Sequence, residues 1–409
     1  MKCGLLGEKL GHSYSPQIHG QLADYSYSLF EKQPEQLEDF LSNGDFHGLN
    51  VTIPYKKAVI PYLSELSPVA KRLGAVNTVV RRPDGRLIGH NTDYFGFRTM
   101  VEASGLKPAG KKVLVLGSGG ASNTAVAVME EFGAKVIVIS RGGENNYENL
   151  PLHKDAAIIV NATPVGMYPK VEASPVELSL FPKLEGVLDL IFNPARTRLL
   201  QDAENRGLVA MNGLLMLVAQ AKESSEWFTN STISNDCITA IHRHLKLQME
   251  NIILVGMPGC GKTTVGQALA VLTGKELVDA DAEIVRSQGM SIPEIFSSGG
   301  EEAFRIIETQ VLGQLGKRSG LIISSGGGCV TRPENYPLLH QNGRIFWLQR
   351  DTALLPTDGR PISQTTDLGK LYEVRRPMYE AFADHVIPND STPDQTAQLI
   401  LNCLKETEK

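Results

Sequence analysis

Cysteine is scarce and scattered. Cys3, Cys237, Cys260, Cys329 and Cys403 are the only five in 409 residues, and nowhere are two spaced as CxxC. That argues against a disulfide framework and against a zinc site. The five read as small buried side chains of a reducing compartment. Basic blocks are missing too: the net charge is −5, and Lys and Arg never cluster into a nucleic-acid footprint. No apolar run approaches the roughly 18 residues that span a bilayer. Glu8 follows only a few apolar residues, so no secretory signal is expected. These readings point to the cytoplasm, with neither membrane nor nucleic acid as partner, and leave oligomeric state open. What remains is ordinary globular composition, 42% hydrophobic and 21% charged, which can fill real cores. The length favours two or three domains.

Two segments have the order strand, glycine-rich loop, helix. The first is Lys112–Leu116, the loop Gly117-Ser118-Gly119-Gly120, and a helix to about Phe132. The second is Asn251–Val255, a loop from Gly256 to Gly261, and a helix to about Leu272. A short continuous apolar run bounded by glycine suits a strand buried on both faces. Strands alternating with helices imply parallel α/β sheets. The polar stretch from Glu223 to Gln248 reads as a closing helix and linker, with a boundary near Met249.

Gly117, Ser118, Gly119, Gly120 and Ala121 form a turn in which backbone can approach a pyrophosphate, with a helix N-terminus facing the phosphates. Ser122 stands where the usual dinucleotide fingerprint has its third glycine, so an ordinary tight strand-to-helix turn is the competing reading. The next strand, Lys135–Ile139, ends in Ser140-Arg141. An acidic residue near this point would bind a ribose 2′-hydroxyl, whereas Arg suits a 2′-phosphate and favours NADP over NAD. Otherwise Arg141 is a solvated surface charge.

Polar residues recur in the N-terminal third. Ser13 and Ser15 sit in Ser13-Tyr14-Ser15-Pro16, where two hydroxyls at alternate positions of an extended chain can donate to one carboxylate; a helix start is the other reading. Asn50-Val51-Thr52-Ile53-Pro54-Tyr55-Lys56, Gly74-Ala75-Val76-Asn77-Thr78 and Asn91-Thr92-Asp93 follow. Their Lys, Asn and Asp can converge on ligand hydroxyls, or be surface and turn residues. Taken in order with the glycine loop, Asn161–Met167, Asn212-Gly213-Leu214 and Gln220, the set resembles the shikimate dehydrogenase family from Gly7 to about Ala221. The resemblance implies that Ser13 and Ser15 hold a substrate carboxylate and that Thr52, Asn77, Asp93 and Gln220 hold its hydroxyls. It implies Lys56 and Asp93 as the acid–base pair. Phe192 would lie at the substrate, where many members have Tyr, and Leu190 and Gly213 at the nicotinamide cofactor. The implied reaction is reduction of 3-dehydroshikimate by NADPH.

Gly256-Met257-Pro258-Gly259-Cys260-Gly261-Lys262-Thr263 matches a full P-loop between strand and helix. Gly259, Cys260, Gly261 and Thr264 would contribute to the phosphate cradle, Lys262 would neutralise the β- and γ-phosphates, and Thr263 would bind Mg²⁺. Asp279 and Asp281, one residue apart at the end of the next strand, point to one side of an extended chain. With Gly300–Arg305, Ser325–Gly328, Gly359-Arg360-Pro361 and Arg375–Tyr379, they resemble the shikimate kinase family from about Asn251 to Leu404. The resemblance implies Asp279 at magnesium and Asp281 activating the acceptor hydroxyl. Arg305 and Arg375 would clamp the shikimate carboxylate, with Gly327 against the ring and Arg360, in a lid, at the transferring phosphoryl group. Singly, Arg305 and Arg375 could be helix-surface ion-pair residues. The adenine-stacking Arg usual in that family is absent from Thr352–Asp358.

The expected architecture is therefore α/β. A two-lobed dehydrogenase spans 1–248, with a substrate lobe of 1–95 and 213–248 and a Rossmann-like NADP lobe of 96–212; a P-loop kinase with a parallel sheet spans 249–409. NADP(H), ATP and Mg²⁺ are the expected cofactors and 3-dehydroshikimate and shikimate the small-molecule partners. The rival readings are a quinate-type polyol acid as substrate of either half, or a binding protein with one half inactive. The presence of Lys56, Asp93, Lys262, Asp281 and Arg360 weighs against the second.

Overall fold

A computed structural model describes residues 1–11, 13–351 and 368–406. The chain divides into two compact units, Met1–Phe192 with Leu199–His244, and Asn193–Arg198 with Leu245–Lys409.

The first unit holds two sheets. One is built from β1 (Lys2–Gly7), β2 (Ser26–Glu31), β3 (Gly48–Val51), β4 (Glu65–Leu66), β5 (Thr78–Arg81) and β6 (Leu87–His90), in the order β2-β1-β3-β5-β6-β4. It is mixed: β1 runs parallel to β2 and β3, while β5 is antiparallel to both β3 and β6. Leu6, Leu49, Val51, Val76 and Val79 fill its core with Tyr55 and Val59 from the segment that follows β3. The other sheet, β7 (Lys112–Leu116), β8 (Lys135–Ile139), β9 (Ile158–Asn161), β10 (Gly186–Asp189) and β11 (Val209–Met211), is wholly parallel in the order β11-β10-β9-β7-β8. Val113–Leu116 are all fully buried, and successive residues feed cores on opposite faces: Val113 and Val115 on one, Leu114 and Leu116 on the other. Burial on both faces is why β7 carries no polar alternation.

The second unit is one parallel sheet of β12 (Asn251–Val255), β13 (Glu276–Asp279), β14 (Leu321–Ser324), β15 (Gly343–Gln349) and β16 (His385–Pro388), ordered β13-β14-β12-β15-β16. Ile252–Val255 at its centre are fully buried. The order reverses beside β12, and in open parallel sheets ligands bind outside the carboxyl ends of the strands at such a switch point.

Glu223–Gln248 is more regular than expected. It holds the end of a helix Leu214–Thr229, a break closed by Asn230 in the left-handed region (φ 51°), and a second helix Asp236–Met249. Ser13 and Ser15 do not lie on an extended strand. Ser15 opens a helix (Ser15–His19) with Pro16 in its first turn, and the Ser13 hydroxyl accepts the Ser15 amide at 3.2 Å. Proline is preorganised for that place, so the helix-start reading prevails.

Candidate active sites

In the first unit, Lys56 comes from the short helix Tyr55–Ala58 after β3, and Asp93 from the first turn of the helix Asp93–Ser104 after β6. Their charged atoms meet at 2.6 Å, with both side chains largely buried. Asn77, immediately before β5, donates its amide to the other Asp93 oxygen at 2.9 Å, and its own oxygen accepts the Thr92 amide at 2.7 Å. Asn77 thus fixes the turn that aims Asp93, and a carboxylate held from both sides has one rotamer. Thr92 Oγ1 also reaches Gln220 Oε1 at 3.4 Å, bringing in the long helix Leu214–Thr229.

A polar chain continues from this pair through the lobe. Thr92 meets Ser224 Oγ at 3.0 Å, Ser224 accepts from Asn50 at 2.7 Å, and Asn50 accepts from the Tyr27 hydroxyl at 2.8 Å. Tyr27 in turn lies beside Ser15. Tyr27 and Lys56 therefore lie at two ends of one hydrogen-bonded network. Thr52 is half-buried beside Gly7, and Phe192 meets the ring of Tyr14, between the two serines, edge-on at 6.1 Å.

The glycine loop of this unit leaves its backbone bare. A side chain on Gly119 or Gly120 would meet nothing within 4 Å, and Ser118 and Gly119 are exposed. Gly117 has a φ of 110°, which favours glycine, and lies against Ala162. Ser122 is buried and donates to the Gly117 carbonyl at 2.7 Å. The hydroxyl braces the turn from the position where the usual fingerprint carries glycine, so the serine keeps the cradle open. With the N-terminus of the helix Gly120–Glu131 facing the loop, this arrangement fits a dinucleotide pyrophosphate. Arg141 is exposed just past β8. Gly213 packs so closely on the Leu190 carbonyl that a Cβ there would collide with it, which joins these two residues at one place.

In the second unit a cavity of about 1000 Å³ lies over the carboxyl ends of the strands. Gly256, Gly259 and Gly261 take φ values of 147°, 86° and 94°, which turn the loop around. Buried Lys262 donates to the Gly256 and Met257 carbonyls at 2.9 and 3.1 Å. Thr263 Oγ1 lies 3.0 Å from Asp279 Oδ2 and 3.1 Å from Ser324 Oγ. Three hard oxygens grouped beside a phosphate loop suit Mg²⁺. Asp279 Oδ1 meanwhile accepts the amides of Asp281 and Ala282, capping the helix Ala280–Gln288.

The far end of the cavity has apolar walls from Ile292, Phe296 and Phe304 and carries Asp281, Arg305 and Arg375. A non-helical Gly300 (φ 72°) kinks the helix Ile292–Lys317 just before the segment bearing Arg305. Arg305 is locked by Glu308 at 2.7 Å and Glu301 at 3.1 Å. Glu308 has no exposure, and burial pushes its carboxyl above the usual range against the pull of Arg305. Arg375 donates to the Gly327 carbonyl at 3.2 Å, which also accepts the Tyr379 hydroxyl at 2.5 Å. Gly326 is needed because a Cβ would press on Glu308 and Asp281 at 2.7 and 2.9 Å.

A family model for the shikimate dehydrogenase substrate-binding domain matches residues 5–79, and one for shikimate kinase matches residues 258–405. A shikimate dehydrogenase (NADP(+)) of Clostridium beijerinckii is 36% identical over 253 residues, 57% of this chain and 93% of the relative. The crystal structure of shikimate dehydrogenase 1 from Peptoclostridium difficile is 39% identical, covering 60% of this chain and 98% of that one, with a TM-score of 0.56. That of shikimate 5-dehydrogenase from Thermus thermophilus in complex with NADP(H) and shikimate is 31% identical, with a TM-score of 0.54 and coverage of 60% and 99%. The chain belongs to the shikimate dehydrogenase family and carries a shikimate kinase domain.

Within the dehydrogenase unit the structure joins Lys56, Asn77 and Asp93 directly and Gln220 through Thr92, and sets Ser15 beside Tyr27 at the other end of the network. Tyr27, Asn50, Thr92 and Ser224 join this network with no signal in the sequence: Ser224 meets Asn50 across 174 residues, which no local spacing marks. Within the kinase domain, Gly259, Gly261, Lys262, Thr263, Thr264, Asp279, Asp281, Arg305, Gly327 and Arg375 line one cavity, and Cys260 is buried beneath the loop. Arg360 lies outside the described residues. Glu308 and Arg350 were missed. Glu308, three residues after Arg305 on one helix, had a signal in its spacing.

Proposed function

We propose that the chain reduces 3-dehydroshikimate to shikimate with NADPH in its first unit, and phosphorylates shikimate to shikimate 3-phosphate with ATP and Mg²⁺ in its second. One observation carries the reading: a 2.6 Å Lys–Asp pair, oriented by Asn77, stands in the same chain as a P-loop cavity holding two buried arginines and an aspartate. The product of the first chemistry is the acceptor of the second.

Bound NADPH supplies the hydride for the ring ketone. Lys56 gives a proton to the oxygen as it becomes an alkoxide, and Asp93 holds the ammonium and a neighbouring substrate hydroxyl. Ser13 and Ser15 hold the carboxylate, and Thr52, Asn77 and Gln220 complete the hydroxyl contacts. Phe192 closes the ring pocket with Tyr14. Gly117–Ala121, with Leu190 and Gly213, shape the cofactor groove, and Arg141 meets the 2′-phosphate.

In the kinase domain, bound Mg·ATP supplies the phosphoryl group. Asp281 takes the proton of the attacking hydroxyl, Arg305 and Arg375 hold the carboxylate, and Gly327 backs the ring. Lys262 neutralises phosphate charge, and Thr263 and Asp279 hold the metal. Arg360 is assigned to the transferring group. We place the functional boundary near Met249, with substrate and NADP lobes preceding it, and the protein in the cytoplasm, where five free thiols suit a reducing milieu.

The test is one incubation with 3-dehydroshikimate, NADPH, ATP and Mg²⁺, omitting each in turn. Shikimate 3-phosphate should form only with all four; without ATP, shikimate should accumulate. Turnover of quinate in preference to shikimate would overturn the substrate assignment.

A further inference from the structure

Strand β15 runs parallel beside β12, with Trp347 level with Val255, so each chain leaves the sheet toward the phosphate loop. Gly256 sits against the Leu348 carbonyl, where a Cβ would come within 2.7 Å. The chain then reaches Arg350, which lines the kinase cavity together with Gly259, Gly261 and Lys262. Its Nη1 lies 3.9 Å from where a Cβ on Gly261 would stand. The other cations in this cavity are held: Lys262 by loop carbonyls, Arg305 by Glu308 and Glu301, Arg375 by Gly327. Arg350 differs. Its Nε is buried without a hydrogen-bond partner among the described residues.

A buried guanidinium N–H without an acceptor leaves a desolvation cost uncompensated. A phosphate is the acceptor that suits it, because the Nε–Nη edge of arginine matches two phosphate oxygens. The place decides which phosphate. Gly261 and the N-terminus of the helix Lys262–Thr273 belong to the part of a P-loop that cradles the α- and β-phosphates, whereas its lysine reaches toward β and γ. We propose that Arg350 is a nucleotide-binding residue that grips the diphosphate common to ATP and ADP. This rests on the kinase reading and goes beyond it. Arg350 would act in ground-state binding before and after transfer, equally for both nucleotides, and would not touch shikimate.

The experiment is calorimetric titration of the full chain with ADP, for wild type, Arg350→Ala, Arg350→Gln and Arg350→Lys. NADPH oxidation by 3-dehydroshikimate in the same preparations serves as the folding control. Loss of charge-assisted contacts should weaken ADP binding by about 10- to 100-fold in the Ala and Gln variants, with partial recovery in the Lys variant and no change in KM for shikimate. ADP affinity at the wild-type level in either the Ala or the Gln variant overturns the assignment while leaving the kinase reading intact. Absence of ADP binding by the wild-type chain sinks the kinase reading, and the role of Arg350 with it.

Discussion

Lys56 faces one oxygen of Asp93 while Asn77 occupies the other, so the ammonium is held in a fixed direction. Truncating it removes the proposed proton donor and leaves the network behind it intact. Lys56→Ala should lower kcat for NADPH oxidation by about 10²- to 10⁴-fold, the usual contribution of general acid catalysis, with phosphorylation of added shikimate unchanged. Stopped-flow absorbance of NADPH checks the first and a coupled ADP assay the second; unchanged NADPH oxidation would remove Lys56 from the mechanism. Gly328 gives a second test at this scale. Its φ of −103° admits any residue, yet a Cβ would collide with the Arg305 guanidinium, which two glutamates hold in place. Gly328→Ala should therefore raise KM for shikimate about 10-fold or more by displacing a charged contact, with ADP affinity unchanged by titration. The ordered motifs that carry Lys56, Asn77 and Asp93 were legible in the sequence, through their resemblance to a family. Partnerships were not: Ser224 with Asn50, Arg350 with Gly261 and Tyr27 with Asn50 are made by the fold.

Asp279 shows a strand end serving two purposes. One oxygen caps the helix Ala280–Gln288 and the other lies 3.0 Å from Thr263. Asn keeps the capping acceptor and loses the charge; Ala loses both. Asp279→Asn should retain the melting temperature of the kinase domain while raising the Mg²⁺ concentration needed for half-maximal activity. Asp279→Ala should in addition cost about 1 kcal/mol of stability, the usual value of an N-cap. Equal melting temperatures for the two variants would remove the cap from the account. The helix Ser15–His19 carries a pH dependence of its own. His19 is fully buried, stacked on Tyr27 at 4.1 Å, and burial drives its pKa down to about 3. The unfolded chain takes up that proton near pH 6.5, so between pH 6.5 and 3 the unfolded state binds more protons and stability falls with acidity. The slope is about 1.4 kcal/mol per pH unit from this group. His19→Phe should flatten that slope between pH 6 and 4 in denaturant titrations of the dehydrogenase unit; an unaltered slope would assign acid sensitivity elsewhere. Elements with one local cause were readable: β7 and β12 as continuous apolar runs, the P-loop from its glycines. The mixed sheet was not, since pairing β3 with β5 antiparallel depends on the path of the chain between them.

At the scale of the molecule, each unit buries its own apolar set. Leu114, Val115, Ile159 and Val160 belong to the cores of the first, and Ile252–Val255, Ile322 and Phe346 to that of the second. Both sets were readable as strand runs, and a boundary near Met249 was expected from the polar stretch before β12. The division falls within the helix Asp236–Met249, whose composition does not change at that point, and residues 193–198 group with the later unit. Separate cores predict separate cooperative transitions, each coupled only to the ligand its own site binds. A ligand at 100 times its Kd stabilises the state that binds it by about 2.7 kcal/mol. Scanning calorimetry should thus show two transitions, one raised by NADP⁺ alone and the other by ADP alone. The Arg350→Ala variant should lose only the ADP shift at a fixed ADP concentration. A single transition raised by either ligand would mean that the two cores unfold as one, and the expectation of separate cooperative units would fail.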